Sequence, residues 1–237
     1  MLRPFKLEKK SRVSMEDRKK NIGAIFDWDG VIIDSSSYHQ ESWERLAKKE
    51  NRSLPNNYFR KSFGMRNESI IPEVLKWTED ENEIKRLSYL KEEFYREIIL
   101  ERGISPLPGV KKFLDMLCIN NIPCAIGSST PRSNITTVLR ILDFSKYFQA
   151  IITAEDVNQG KPDPQVFLLA AQKLNLPPES CVVFEDAHVG IMAAKAGGMK
   201  VIAVATTNPP SELKTADLVV KRLDELSLTI LEQLFSD

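Results

Sequence analysis

Gly23-Ala24-Ile25-Phe26-Asp27-Trp28-Asp29-Gly30-Val31-Ile32-Ile33-Asp34 is an apolar run that stops abruptly in two carboxylates and a glycine. The run reads as a buried strand, and residues two apart on an extended backbone project to the same side. The spacing therefore aims Asp27 and Asp29 at one point just past the strand end, the place where open parallel α/β sheets bind ligands. Two like charges held that close need a cation beside them, or one must keep its proton. Either arrangement implies chemistry.

Outward from this strand the chain changes texture twice. Helical patterning covers 38–51, returns over 57–62 and 67–77, and fills a charged stretch from 80 to 101, with no strand-like segment between Asp34 and Ile104. Pro106-Leu107-Pro108-Gly109 punctuates the chain. Beyond it, helix and strand alternate: helix 109–120, strand 123–127, helix 131–142, strand 150–153, helix 164–175, strand 181–184, helix 189–197, strand 200–205, strand 217–220 and a final helix over 223–235. Alternation of this kind predicts a parallel sheet covered on both faces. The first strand must join that sheet. Residues 22–34 and 106–237 then form an α/β core, and 35–105 an all-helical insertion.

Composition excludes several classes. Lys plus Arg and Asp plus Glu balance at 33 each among 237 residues, so no bulk field favours nucleic acid or an anionic membrane surface. No apolar stretch is long enough to span a bilayer. Residues 1–21 are rich in Lys and Arg but lack an apolar segment, and read as a loose basic tail. Cys118, Cys124 and Cys181 are odd in number and lie in apolar contexts, which predicts buried thiols in a reducing cytoplasm and no disulfide framework.

The predicted strand ends collect reactive residues. After the second strand comes Gly127-Ser128-Ser129-Thr130, hydroxyls and free backbone N–H groups ahead of a helix, suited to receiving phosphate oxygens. The third is followed by Gly160-Lys161-Pro162-Asp163-Pro164, a rigid turn presenting one lysine, and the fourth ends in Phe184-Glu185-Asp186. Singly, each has a plain reading: an acidic turn, a helix cap, a solvated lysine, a charged first helical turn. Jointly they suit Mg²⁺, a hard ion that prefers oxygen ligands, with a phosphoryl group beside it.

These four segments, in this order, resemble the motifs of the haloacid dehalogenase superfamily, over nearly all of residues 22–235. The resemblance implies a Rossmann-like core, and the insertion resembles the helical cap of the phosphatase and phosphomutase branch. It implies that Asp27 is the nucleophile, Asp29 the general acid/base, and Ser128 and Lys161 the holders of the phosphoryl group, with Ser129 and Thr130 beside them. It further implies Mg²⁺ bound by Asp27, the Asp29 backbone carbonyl and Asp186, together with Glu185. The second aspartate favours phosphate esters over haloacids, since a departing halide needs no proton. Trp28 stands where a smaller aliphatic residue is common, and is expected to face away from the acids.

In the insertion, Asp34 to Trp43 is similar to the β-phosphoglucomutase group, with matching His39 and Trp43, and Lys91 falls near that group's cap lysine. Trp43 is expected in the core. Arg66 is placed to meet substrate across the cleft. A second similarity, to plant-type pyrimidine phosphatases of riboflavin synthesis, is carried by Gly64-Met65-Arg66-Asn67-Glu68, Glu73-Val74-Leu75-Lys76-Trp77 and Lys221-Arg222-Leu223-Asp224-Glu225-Leu226. The expectation is a cytoplasmic Mg²⁺-dependent phosphatase of a small phosphorylated metabolite, a monomer or weak homodimer. A phosphohexomutase, the pyrimidine phosphatase, and a binding protein without turnover are the rivals.

Overall fold

The computed structural model describes residues 22–62 and 65–236, so the basic tail read at 1–21 lies outside the described residues. Six parallel strands form one sheet in the order β3-β2-β1-β4-β5-β6. They are β1 (Gly23–Phe26), β2 (Cys124–Gly127), β3 (Phe148–Ile152), β4 (Cys181–Glu185), β5 (Lys200–Val204) and β6 (Leu218–Val220). Parallel strands need crossovers, and helices supply them. In chain order the longer helices are α1 (Ser36–Lys49), α2 (Glu81–Arg102), α3 (Val110–Ile119), α4 (Arg132–Leu142), α5 (Gln165–Lys173), α6 (His188–Ala196) and α7 (Leu228–Gln233).

The central strands are buried on both faces, and the period of two sorts their side chains. Ala24, Phe26, Val182 and Phe184 enter one hydrophobic cluster with Phe113 and Leu117 of α3 and Val138 of α4. Ile25, Cys181 and Val183 enter another with Phe167 and Ala170 of α5 and Ile191 of α6. Phe26 stacks on Phe184 with ring centroids 4.6 Å apart, which locks β1 beside β4. Chain order reverses at β1, since β2 and β4 flank it; this is the switch point of the sheet.

The insertion has an apolar centre of its own, built from Trp43, Leu46, Tyr58, Ile70, Ile71, Leu75, Ile84 and Leu87. Its long helix α2 starts at Asp80, whose side chain accepts a hydrogen bond from the Glu83 N–H (2.8 Å), and stops at Gly103 (φ +71°). The two ends of α2 lie in different surroundings. Ile84 and Leu87 pack inside the insertion, whereas Tyr95 and Ile99 pack into the sheet's first cluster. Trp43 is buried in the insertion's apolar centre as expected, and Trp28 is buried among core residues.

Several expectations need correction. The segment 67–77 is not one helix: Asn67–Ser69 is α-helical and Ile70–Val74 winds more widely, with the Leu75 N–H donating to the Ile70 carbonyl at 2.9 Å. Pro72 has no N–H to continue an α-helical ladder. The third strand begins at Phe148, two residues early, because pairing with β2 extends past the apolar run. The C-terminal stretch is a short turn at Leu223–Glu225 followed by α7 alone. Cys118 is exposed: it lies one turn beyond the buried Leu114, at the end of α3, where Ile119 and Asn120 are exposed as well. Among the described residues no helix is long and apolar enough to cross a membrane.

Candidate active site

Four side chains from three segments converge at the C-terminal end of β1. Lys161, in the loop after β3, places Nζ 2.6 Å from Asp27 Oδ1 and 2.7 Å from Glu185 Oε1. Asp27, Glu185 and Asp186 each bring a carboxylate oxygen into a group whose members lie within 4.8 Å of one another. The Lys161 ammonium also sits 4.7 Å from the centroid of the Phe167 ring. Glu185 is fixed further by the backbone N–H groups of Asp186 and Ala187, both donating at 2.8 Å.

Close approach here depends on two glycines. Gly30 has φ +78°, and a Cβ there would stand 2.0 Å from Asp186 Oδ2. A Cβ on Gly190, in α6, would stand 1.7 Å from Glu185 Oε1. Neither position has room for any side chain.

Three buried carboxylates face one ammonium, and the imbalance is visible in their proton affinities. Burial pushes Asp27 up to about 7, with Lys161 pulling it down and the Glu185 charge pushing it up. Burial and then the charges of Glu185 and Asp27 push Asp186 up to about 8. Burial would lower Lys161, but Asp27 and Glu185 hold its ammonium above the ordinary value. A divalent cation among the three acids would relieve that repulsion, and an all-oxygen donor set fits a hard ion.

Asp27 and Asp29 lie near enough that the Asp29 charge adds to the upward push on Asp27, yet the two side chains take different partners. The strand ends at Phe26 and the chain turns, the Gly30 N–H donating to the Ile33 carbonyl (2.8 Å) and the Ile32 N–H to the Trp28 carbonyl (2.9 Å). Within that turn the Asp29 side chain takes its own set of partners. Ser35 Oγ and Thr130 Oγ1 each donate to it, and His39 Nε2 stands 3.8 Å from Oδ1. Burial would raise Asp29, but the adjacent His39, then the hydrogen bonds from Ser35 and Thr130, hold it below the ordinary carboxylate value.

The remaining predicted residues divide. Ser128 is buried, and its Oγ accepts from the Thr130 N–H at 3.2 Å; Ser129 beside it is partly exposed. Thr130 was expected to face substrate, yet its hydroxyl is committed to Asp29 because the loop after β2 runs against that carboxylate. His39 and Lys91 do reach the site: Lys91 Nζ is 2.7 Å from His39 Nδ1, and the His39 ring stacks on Tyr95 at 4.3 Å. Arg66 reaches the loop that carries Lys161, close enough that a Cβ on Gly160 would be 3.0 Å from its Nη2. That Nη2 is buried with no hydrogen-bond partner among the described residues.

Four residues of the site carry no sequence signal of the kind used above. Ser35 is a small hydroxyl whose partner, Asp29, lies six residues back in the same loop, and Thr207 is one whose partner lies at the end of the neighbouring strand. Thr207 Oγ1 donates to Asp186 Oδ2, Asn208 Nδ2 donates to the Asp186 carbonyl at 2.9 Å, and Thr206 Oγ1 donates to the Gly30 carbonyl. The loop after β5 thereby braces both the fourth strand end and the first.

The chain matches the family model of haloacid dehalogenase-like hydrolases over residues 24–204 and belongs to that family; it is an enzyme of the hydrolase class. It is 41% identical over 216 residues to the chloroplastic 5-amino-6-(5-phospho-D-ribitylamino)uracil phosphatase of Arabidopsis thaliana, covering 90% of this chain and 57% of that protein. The chain thus spans just over half the length of that relative. It is 32% identical to a phosphorylated carbohydrates phosphatase of Thermotoga maritima, covering 88% of this chain and 97% of that one. The crystal structure of β-phosphoglucomutase from Clostridium difficile superposes with a TM-score of 0.78 at 29% identity, covering 91% of this chain and 97% of that one.

Proposed function

We propose that the chain is a Mg²⁺-dependent phosphatase that hydrolyses a small phosphorylated metabolite through an aspartyl phosphate on Asp27. The observation that carries this reading is the meeting of Asp27, Lys161, Glu185 and Asp186 from β1, β4 and the loop after β3. The carboxylate Oδ of Asp27 forms a bond to phosphorus while the ester P–O bond breaks. Lys161, already within hydrogen-bond distance of Asp27, offsets charge on the phosphoryl oxygens, with Ser128 and the N–H groups ahead of α4 on the other side. Mg²⁺, held by Asp27, Asp186 and Glu185 with the Asp29 carbonyl, would supply further neutralisation of that charge.

Asp29 would hand a proton to the leaving oxygen and later take one from the attacking water. Its carboxyl is held low in the structure, so an arriving phosphate dianion is needed to raise it. The helical insertion acts as a cap that excludes water while the bond is made. Arg66 faces the substrate, since its buried Nη2 has donors to spend beside Lys161.

Two observations bear on the substrate. The similarity to the Arabidopsis enzyme supports a phosphorylated ribityl compound, and that to the Thermotoga enzyme a sugar phosphate. The placement of His39 and Lys91 beside Asp29 supports a second reading, a β-phosphoglucomutase-like transfer back to sugar. The test is phosphate release with Mg²⁺ from p-nitrophenyl phosphate, sugar phosphates and 5-amino-6-(5-phospho-D-ribitylamino)uracil, run beside conversion of β-glucose 1-phosphate to glucose 6-phosphate. Asp27→Asn is expected to abolish turnover in every assay. Undiminished turnover in that variant removes Asp27 as nucleophile; faster isomerisation than phosphate release makes the enzyme a mutase.

A further inference from the structure

Lys91 is only 3% exposed, and an ammonium buried that far from water keeps its charge only beside a counter-charge. The counter-charge is its own neighbour in sequence. Glu92 Oε1 lies 2.9 Å from Lys91 Nζ. Consecutive residues on a helix point about 100° apart, so helix geometry does not bring this pair together. Glu92 is turned by two amides instead. Asn67 Nδ2 donates to Oε1 at 2.7 Å, and Asn134 Nδ2 donates to Oε2 at 2.5 Å. Asn67 belongs to the insertion. Asn134 belongs to α4 of the core, where its own Oδ1 accepts from Arg96 Nη1 at 3.0 Å.

The consequence reaches His39. A charged lysine has three donors and no acceptor, so Lys91 can only donate to His39 Nδ1. That nitrogen must then lack a hydrogen, and the neutral ring carries its proton on Nε2, the atom that faces Asp29 at 3.8 Å. We infer that Glu92 is a positioning residue: by holding Lys91 Nζ against His39 Nδ1, it fixes the His39 tautomer whose Nε2–H points at Asp29. Because Asn134 holds Glu92 from the core side, the arrangement is complete only while insertion and core are in contact.

The test uses the full chain and two readouts. The sequence contains two histidines, so imidazole ¹⁵N signals are few, and His39→Gln assigns them. At pH 8, wild type is expected to show His39 with an unprotonated Nδ1 and a protonated Nε2. Glu92→Gln is expected to give signals averaged between the two tautomers, and Asn134→Ala to move them the same way by less. With p-nitrophenyl phosphate, kcat of Glu92→Gln should fall about tenfold, a fraction of what general acid–base catalysis contributes, at nearly constant KM. Adding Asn134→Ala should reduce it little further. Wild-type tautomer signals in Glu92→Gln overturn the inference, and if that variant does not fold, unchanged signals in Asn134→Ala overturn it equally. The kinetic arm rests on the proposed role of Asp29 and the spectral arm does not. A shifted tautomer with unchanged kcat therefore upholds Glu92 and refutes the acid–base role.

Discussion

Asp27 and Asp29 are two residues apart on one strand end, and their surroundings drive their carboxyls in opposite directions. Asp27 looks toward Glu185 and Asp186, where burial and like charge push it up to about 7 against a single ammonium. Asp29 looks toward His39 and toward the hydroxyls of Ser35 and Thr130 that donate to it, and together these outweigh its burial and hold it down. One turn of chain at Gly30 separates a group that needs a cation from one that is satisfied by hydroxyls and an imidazole. Pairs of titratable groups pushed apart in this way mark different chemical assignments. Asp27 is bare enough to attack once a cation joins it, and Asp29 is poised to exchange protons.

The largest expected effect tests that division directly. Asp27→Asn should leave no turnover, whereas Asp29→Asn keeps the shape and should lower kcat about 10²- to 10⁴-fold, the span of a general acid–base contribution. Steady-state rates of the two variants under saturating Mg²⁺ decide it. Wild-type turnover in Asp29→Asn would mean that the two carboxylates do not divide the work. A smaller effect comes from Gly190→Ala, whose Cβ has no space beside Glu185 Oε1. Displacing Glu185 takes one partner from Lys161 and one donor from the acid group. Mg²⁺ affinity, measured by activity against ion concentration, should weaken about tenfold, the lower end for disturbed support of a metal ligand. An unchanged Mg²⁺ requirement would place the ion away from Glu185.

The two regions also differ in how far they could be read from the chain. The acid group was legible because its members sit at strand ends next to apolar runs, and a parallel sheet gathers strand ends in one place. The surroundings of Asp29 were not. Ser35 and Thr130 look like ordinary loop hydroxyls until the folded chain brings them against the Asp29 carboxylate. Glu92 reads as one more charge on a charged helix; only the meeting of α2 with α4 shows it buried and shared. Thr207 follows β5 without any motif, and its partner Asp186 lies on the neighbouring strand. Cys118 misleads in another way: it continues the i, i+4, i+8 row of Val110 and Leu114, so the helical period as well as its apolar context places it inside, and only the fold shows the end of α3 exposed.

The smallest effect concerns protons held in place of the ion. Asp27 and Asp186 rise from 3.8 to about 7 and about 8 in the folded, metal-free chain. A carboxyl with a raised folded value binds a proton that the unfolded chain has released, so it adds stability below its unfolded value and loses that stability as pH climbs through the folded one. Metal-free stability from these two groups therefore declines between about pH 4 and pH 8. Asp29 and Glu92, which are held low, act in the opposite sense, but only as the pH falls below the ordinary carboxylate range. Mg²⁺ must expel any proton still bound to its ligands. The rise in Tm on adding saturating Mg²⁺ should accordingly be greater near pH 9 than near pH 6, by about 2–4 °C for each kcal/mol of proton competition removed. Differential scanning calorimetry at the two pH values measures it. A gain that is equal at both, or larger in acid, would mean that Asp27 and Asp186 do not share one ion, and the contrast between the two aspartates would then rest on burial alone.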